Sequence, residues 1–209
     1  MIRQRVRIRF RKDGDLRLIS HRDLARVFER MFRRAGLKLS MSEGFHPKAR
    51  VSFPSALSLG IASLSEVMEF ELTETPEAAF LEAQLTEVTP PGLTITELRL
   101  LDIGAKKCRV EQFVYEFPVP QQLHKQVADS IANLMSQESF LIEREGKKKP
   151  VDLRAGLEGV ELEDDRVRFR LWASREASVR PREVLEVLGL AELEKDGHYL
   201  TRTDVVLSS

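Results

Sequence analysis

The sequence predicts an α+β protein of two tandem ferredoxin-like (βαββαβ) domains with antiparallel sheets, residues 1–103 and 110–209. Three observations predict it. Strand-type alternation and helix-type periodicity succeed each other in the order β-α-β-β-α-β, and that order occurs twice. A chain of 209 residues also suits two domains of about 100, each able to bury a core. The repeat lies in element order, not in residue identity.

The first strand spans residues 3–10. Side chains on a strand alternate between faces, so Arg3, Arg5, Arg7 and Arg9 share one and Val6, Ile8 and Phe10 the other. Guanidiniums roughly 7 Å apart on one face repel unless something negative offsets them. Lys12-Asp13-Gly14-Asp15 reads as a turn and Leu16–Ile19 as a short extended piece. Ser20 is a helix N-cap with Asp23 as the reciprocal acid. The helix after it buries Leu24, Val27, Phe28, Met31, Phe32 and Ala35 at helical spacing, and Gly36 ends it. Leu37–Ser40 reads as a strand, Ser42–Pro54 as a loop running into Val51-Ser52-Phe53, and Val67–Leu72 as an alternating strand. Pro76 opens a second helix through Val88, Pro90-Pro91-Gly92 breaks the chain, and Leu93–Leu101 closes the domain.

The second half follows suit. Strands are predicted at Phe113–Phe117, Phe140–Glu143, Val167–Trp172 and Tyr199–Leu207, with helices at Gln121–Met135 and from Pro181 to Leu188. Lys147–Lys149 reads as a basic hairpin that, with Arg154, offers a second cationic spot.

Composition narrows the function. The 33 basic and 33 acidic side chains cancel, yet residues 1–50 carry +10 and residues 51–100 carry −7. Such segregation points to an anion-binding region in a neutral protein. No apolar run approaches the ~20 residues of a membrane span, and no signal peptide is evident, so a cytoplasmic protein is expected. The one cysteine, Cys108, excludes an internal disulfide and an iron–sulfur site. No metal or cofactor is expected: His21, His46, His124 and His198 lack ligand spacing.

Two segments carry the candidate chemistry. On the first helix Arg22, Arg26, Arg30 and Arg33 recur at spacings of 4, 4 and 3 with Arg34 beside them, opposite the core stripe. A solvated surface is the plain explanation, but most of these cations lack an acid at helical spacing, and arginine's planar fork suits phosphate. The loop Ser42–Phe53 combines Phe45, His46, Lys48 and Arg50 with Gly44 and Pro47. Phe45 either stacks a base, with Lys48 and Arg50 on phosphates, or anchors the loop in the core. His21 or His46 with Lys48 would serve a metal-free ribonuclease, though a histidine opening a helix is ordinarily structural. Glu69 and Glu71 share an outer strand face and either cover the sheet or balance neighbouring arginines.

The stretch Gly14-Asp15-Leu16-Arg17-Leu18-Ile19-Ser20-His21-Arg22-Asp23-Leu24 resembles the radical-SAM-linked protein family. The resemblance continues through Arg33-Arg34-Ala35-Gly36-Leu37, Ser42-Glu43-Gly44-Phe45, Arg50-Val51-Ser52-Phe53, Ala56-Leu57-Ser58-Leu59-Gly60 and Val151-Asp152-Leu153-Arg154. Members are uncharacterised domains found beside, or fused to the C-terminus of, a radical SAM protein. The family loop often reads Gly-Phe-Asn-Pro-His-Pro where this chain has Gly44-Phe45-His46-Pro47-Lys48-Ala49, so the histidine has moved and a catalytic role for it is weakened. The resemblance implies a radical SAM partner that carries the iron–sulfur chemistry. The tandem ferredoxin-like plan is also similar to RNA-processing proteins of CRISPR systems.

The leading expectation is a cytoplasmic RNA-binding accessory protein that presents RNA, transfer or ribosomal, to a radical SAM modification enzyme and has no catalysis of its own. Arg5, Arg7, Arg9, Arg22, Arg26, Arg30 and Arg33 would hold the backbone, and Phe45, His46, Lys48 and Arg50 would lie closer to the substrate. The alternatives are the ribonuclease and a protein-only adaptor.

Overall fold

The computed structural model describes residues 3–146, 149–173 and 179–208. The chain divides into two compact units, Met1–Arg109 and Val110–Ser209.

The first unit runs β1 (Gln4–Lys12), a 3-10 turn (Gly14–Leu18), α1 (His21–Arg34), β2 (Val51–Ser52), β3 (Ala62–Leu72), α2 (Ala78–Glu87) and β4 (Leu93–Leu100). Its strands order β4-β1-β3-β2, and each pairing is antiparallel. Period two decides what is buried: Val6, Ile8 and Phe10 of β1 and Met68, Phe70 and Leu72 of β3 form the floor of one core. Leu24, Phe28, Met31 and Phe32 of α1 and Leu81 and Leu85 of α2 complete it, each burial contributing about 1.5–3 kcal/mol. Phe10 meets Phe28 edge-on at 4.9 Å, and Phe32 lies 4.6 Å from Phe70 between centroids. Lys12 continues the core face and is fully buried, its ammonium donating to the Ile19 carbonyl at 3.2 Å.

The second unit runs β5 (Val110–Pro118), a 3-10 turn (Gln121–Leu123), α3 (His124–Ser136), β6 (Leu141–Ile142), β7 (Val151–Asp152), α4 (Leu153–Gly156), β8 (Leu157–Glu163), β9 (Arg166–Trp172), α5 (Pro181–Val187) and β10 (Thr201–Leu207). Its main strands order β10-β5-β9-β8, again antiparallel, while β6 and β7 make a separate small ribbon.

Two local expectations are corrected. Of Leu16–Ile19 only Ile19 is extended: a 3-10 turn spans Gly14–Leu18, opened by Gly14 at φ +53° and closed by Ile19 N–H on the Leu16 carbonyl. Leu16 packs over Gly92, whose φ is +83° and where a Cβ would sit 2.8 Å from the Asp13 carbonyl oxygen, so only glycine fits there. Leu37–Ser40 pairs with β3 through a single bridge, Leu39 to Leu72, instead of forming a strand. The sequence reading also left out β8. Its register against β9 shifts between Leu157 and Gly159, which leaves only the four residues Val160–Glu163 in uninterrupted alternation. Of the expected basic hairpin, Lys147 and Lys148 lie outside the described residues; Lys149 is exposed.

Candidate nucleic-acid interface

The β1 arginines face their counterions across the sheet. Register places Arg5 opposite Glu71 and Arg7 opposite Glu69 on β3, and Arg9 opposite Glu97 on β4. Arg7 donates from Nε at 2.9 Å and Nη2 at 2.8 Å to Glu69 Oε1, while Arg5 Nε lies 3.9 Å from the other oxygen. Glu69 is only 4 % exposed, so two cations serve one buried carboxylate. Arg5 also donates to the carbonyls of Ala105 and Lys106. Arg9 donates to Ser65 Oγ at 2.6 Å and lies 3.7 Å from Glu97, which Arg99 also contacts. Of the two roles open to Glu69 from sequence, balancing the arginines is the one its contacts describe. Cys108 lies within the field of Arg5, Arg7 and Arg9, but burial outweighs their pull and pushes its thiol up.

The α1 stripe is different. Ser20 caps the helix, accepting from Asp23 N–H at 3.2 Å. The Ser20 hydroxyl donates back to the Asp23 carboxylate at 2.7 Å, and that bond, with Arg26 3.0 Å away, holds the Asp23 carboxyl below its ordinary range. Arg26 is thus paired within its own helix. Arg22, Arg30, Arg33 and Arg34 are exposed. Among the described residues no carboxylate lies within 4 Å of the Arg30, Arg33 or Arg34 guanidinium. Arg33 and Arg34 occupy the last turn, where the helix dipole favours cations.

Backbone closure defines the 42–50 loop. Met41 bridges Ala49, Ser42 N–H donates to the Lys48 carbonyl at 2.7 Å, and Lys48 N–H donates to Ser42 Oγ at 2.9 Å. Below that clasp, Ser40 N–H donates to the Glu71 carbonyl and Glu71 N–H to the Arg50 carbonyl, which ties the loop to β3. Gly44 at φ +126° turns the tip. Phe45 stands at 103 % relative exposure, so it is not a core anchor. His46 and Lys48 are exposed beside it. Arg50 instead lies 3.7 Å from Glu71 and donates to the Met41 carbonyl, within the loop base. Phe53 packs inward, 5.8 Å from Phe28.

The histidines do not converge. His21 packs edge-on against Phe53 at 5.0 Å, and among the described residues no hydrogen bond or ring contact joins it to His46. In the second unit, His124 Nε2 lies 3.1 Å from the Val119 carbonyl. Among the described residues no group of three or more His, Cys, Asp or Glu is placed to hold a metal ion, and no helix is long and apolar enough to cross a membrane.

Arg154 is structural. It donates to the carbonyls of Gln137 and Leu157, and Asp152 accepts from the N–H groups of Phe140 and Arg154 at 3.0 Å each. Those bonds, the Phe140 N–H foremost, hold the Asp152 carboxyl below its usual range. Sequence reading missed a second latch, Glu183. It accepts from Arg144 at 2.5 and 2.7 Å and from Arg180 N–H at 2.7 Å, capping α5. Its burial would raise the carboxyl, but Arg144 and the Arg180 N–H together bring it below its ordinary value. No local signal marks the pair, since the partners lie 39 residues apart.

The fold and surface together define a class: a two-unit antiparallel α+β protein whose open chemistry is a basic helix face and an aromatic-tipped loop. The family model described as "Uncharacterized protein conserved in bacteria (DUF2344)" matches residues 5–181, and the chain belongs to that family. No curated protein matches it. Among solved structures, a crystal structure of an unknown protein from Galdieria sulphuraria is 12% identical over 100% of both chains with a TM-score of 0.27, too low to carry a comparison.

Proposed function

We propose that this chain is a cytoplasmic RNA-binding accessory protein that presents RNA to a radical SAM enzyme for modification. The observation that carries the RNA half is the exposed cluster of Arg30, Arg33 and Arg34, which no carboxylate within 4 Å offsets among the described residues. Arginines in that state retain their full capacity for phosphate. Arg22 and Lys48 add exposed positive groups in the same unit. Arg5, Arg7 and Arg9 move to a supporting role, because each is only partly exposed and lies within 4 Å of Glu69 or Glu97. The partner half rests on the motif resemblance at residues 14–24, 33–37, 42–45, 50–53 and 56–60. A ferredoxin-like plan for each unit is part of the reading, supported by strand orders β4-β1-β3-β2 and β10-β5-β9-β8 around two helical crossovers.

Binding of the purified chain to total cellular RNA at two salt concentrations tests the proposal. Phosphate contacts make affinity fall as salt rises, with a slope of roughly −0.7 per contact for single strands. The pair Arg30→Ala/Arg33→Ala is expected to weaken binding and flatten that slope by about one to two contacts. Salt-independent binding, or none at low salt, rejects the RNA half. Affinity for the radical SAM partner without RNA affinity would make the chain a protein-only adaptor.

A further inference from the structure

We propose that Phe45 is a stacking platform for an unpaired nucleobase, so that the chain selects single-stranded or looped RNA over continuous duplex. The inference rests on the RNA reading above and names the substrate class at that surface. An apolar ring in water on all sides is a cost unless a partner covers it. Phe45 is fully exposed, and among the described residues no other ring approaches it.

The loop holds it there by construction. The Ser42–Lys48 clasp and the Met41–Ala49 bridge close the chain below the tip, and Gly44 supplies a backbone angle that L side chains rarely adopt. What surrounds the ring decides between a base and a protein pocket. Protein hot spots sit within apolar, water-excluding surroundings. Phe45 is instead flanked by exposed Glu43, Gly44, His46, Pro47 and Lys48. A ring open on its faces with an exposed lysine on the same tip is an arrangement that stacks a base and holds its phosphate. Bases within a continuous duplex offer no free face.

The test uses the full chain and two probes: a short mixed-sequence RNA strand and the same strand annealed to its complement. The variants are Phe45→Ala, Phe45→Trp and Arg30→Ala/Arg33→Ala. Phe45→Ala is expected to lose roughly 5- to 150-fold on the single strand, the range of one lost stack, and to leave duplex binding unchanged. Phe45→Trp is expected to keep the affinity. Combined with Trp172→Phe, which removes the natural indole, its fluorescence should quench on the single strand alone. If Phe45→Ala binds both probes like wild type while Arg30→Ala/Arg33→Ala weakens both, the stacking role is overturned and the RNA reading stands. Equal loss on both probes also overturns the selectivity. Wild type that binds neither probe at low salt overturns both readings, and dependence of a protein partner on Phe45 with RNA affinity intact assigns the ring to that partner.

Discussion

Glu69 has the most to answer for at the scale of single residues. It sits buried on β3 between Arg5 and Arg7, and removing it leaves two guanidiniums facing each other without a counterion. Breaking such a pair at one end costs about 3–5 kcal/mol when it is fully buried. Because the arginine ends keep some solvent, Glu69→Ala is expected to cost about 2–4 kcal/mol in urea unfolding. Arg7→Ala should likewise lower stability while leaving the salt dependence of the proposed RNA binding as it was. A matching loss of slope would return the strand arginines to the interface. Period two revealed which side of β1 the arginines occupy. It is silent on what lies opposite, since that depends on a pairing some 62 residues away. Phe45 was equally open from sequence, because an aromatic in a loop can turn inward or outward until the backbone closure is known.

At the scale of elements, two carboxylates fix helix starts in different ways. Ser20 and Asp23 cap α1 locally, a pattern legible in the residues themselves, though the second bond runs from the Ser20 hydroxyl and not from its backbone. Ser20→Ala is expected to cost about 1 kcal/mol by thermal or chemical unfolding. Glu183 caps α5 while gripping Arg144 from a distant segment, which no local pattern announces. Its folded carboxyl lies below the unfolded value of about 4.3. The stabilisation is therefore present above that value and lost as pH falls through the folded one. The gap in unfolding free energy between wild type and Glu183→Gln should be widest near neutrality and narrow on acidification. A gap constant with pH would show that the ion pair contributes nothing. In β8 the bulge at its start leaves only the short run Val160–Glu163 in alternation, a weak signal on its own.

At the scale of the whole molecule, charge segregation along the chain is partly undone by folding. The basic first fifty residues and the acidic next fifty belong to one unit, and β1 lies between β3 and β4 so that much of the charge is cancelled in place. On α1, among the described residues, the Arg30, Arg33 and Arg34 guanidiniums keep no carboxylate within 4 Å. Sequence counts registered the excess but could not say which cations would be left over, because that is a property of register. The order of strands and helices was largely visible because each core face carries its own period. The strand β6 falls within the predicted Phe140–Glu143, whereas β7 and the α4 turn were not visible, being too short to show a period.

The clasp at the base of the loop has one more consequence. It is made by main-chain groups of residues 40–42 and 48–50 and the hydroxyl of Ser42, and by none of the side chains at 45, 46 and 48. Handle and blade are separate parts. Exchanging the side chains at 45, 46 and 48 is therefore expected to leave the clasp and the scaffold folded as before. Ser42→Ala would remove only the bond from the Lys48 N–H, leaving the main-chain bond between Ser42 and Lys48 and the Met41–Ala49 bridge to hold the tip.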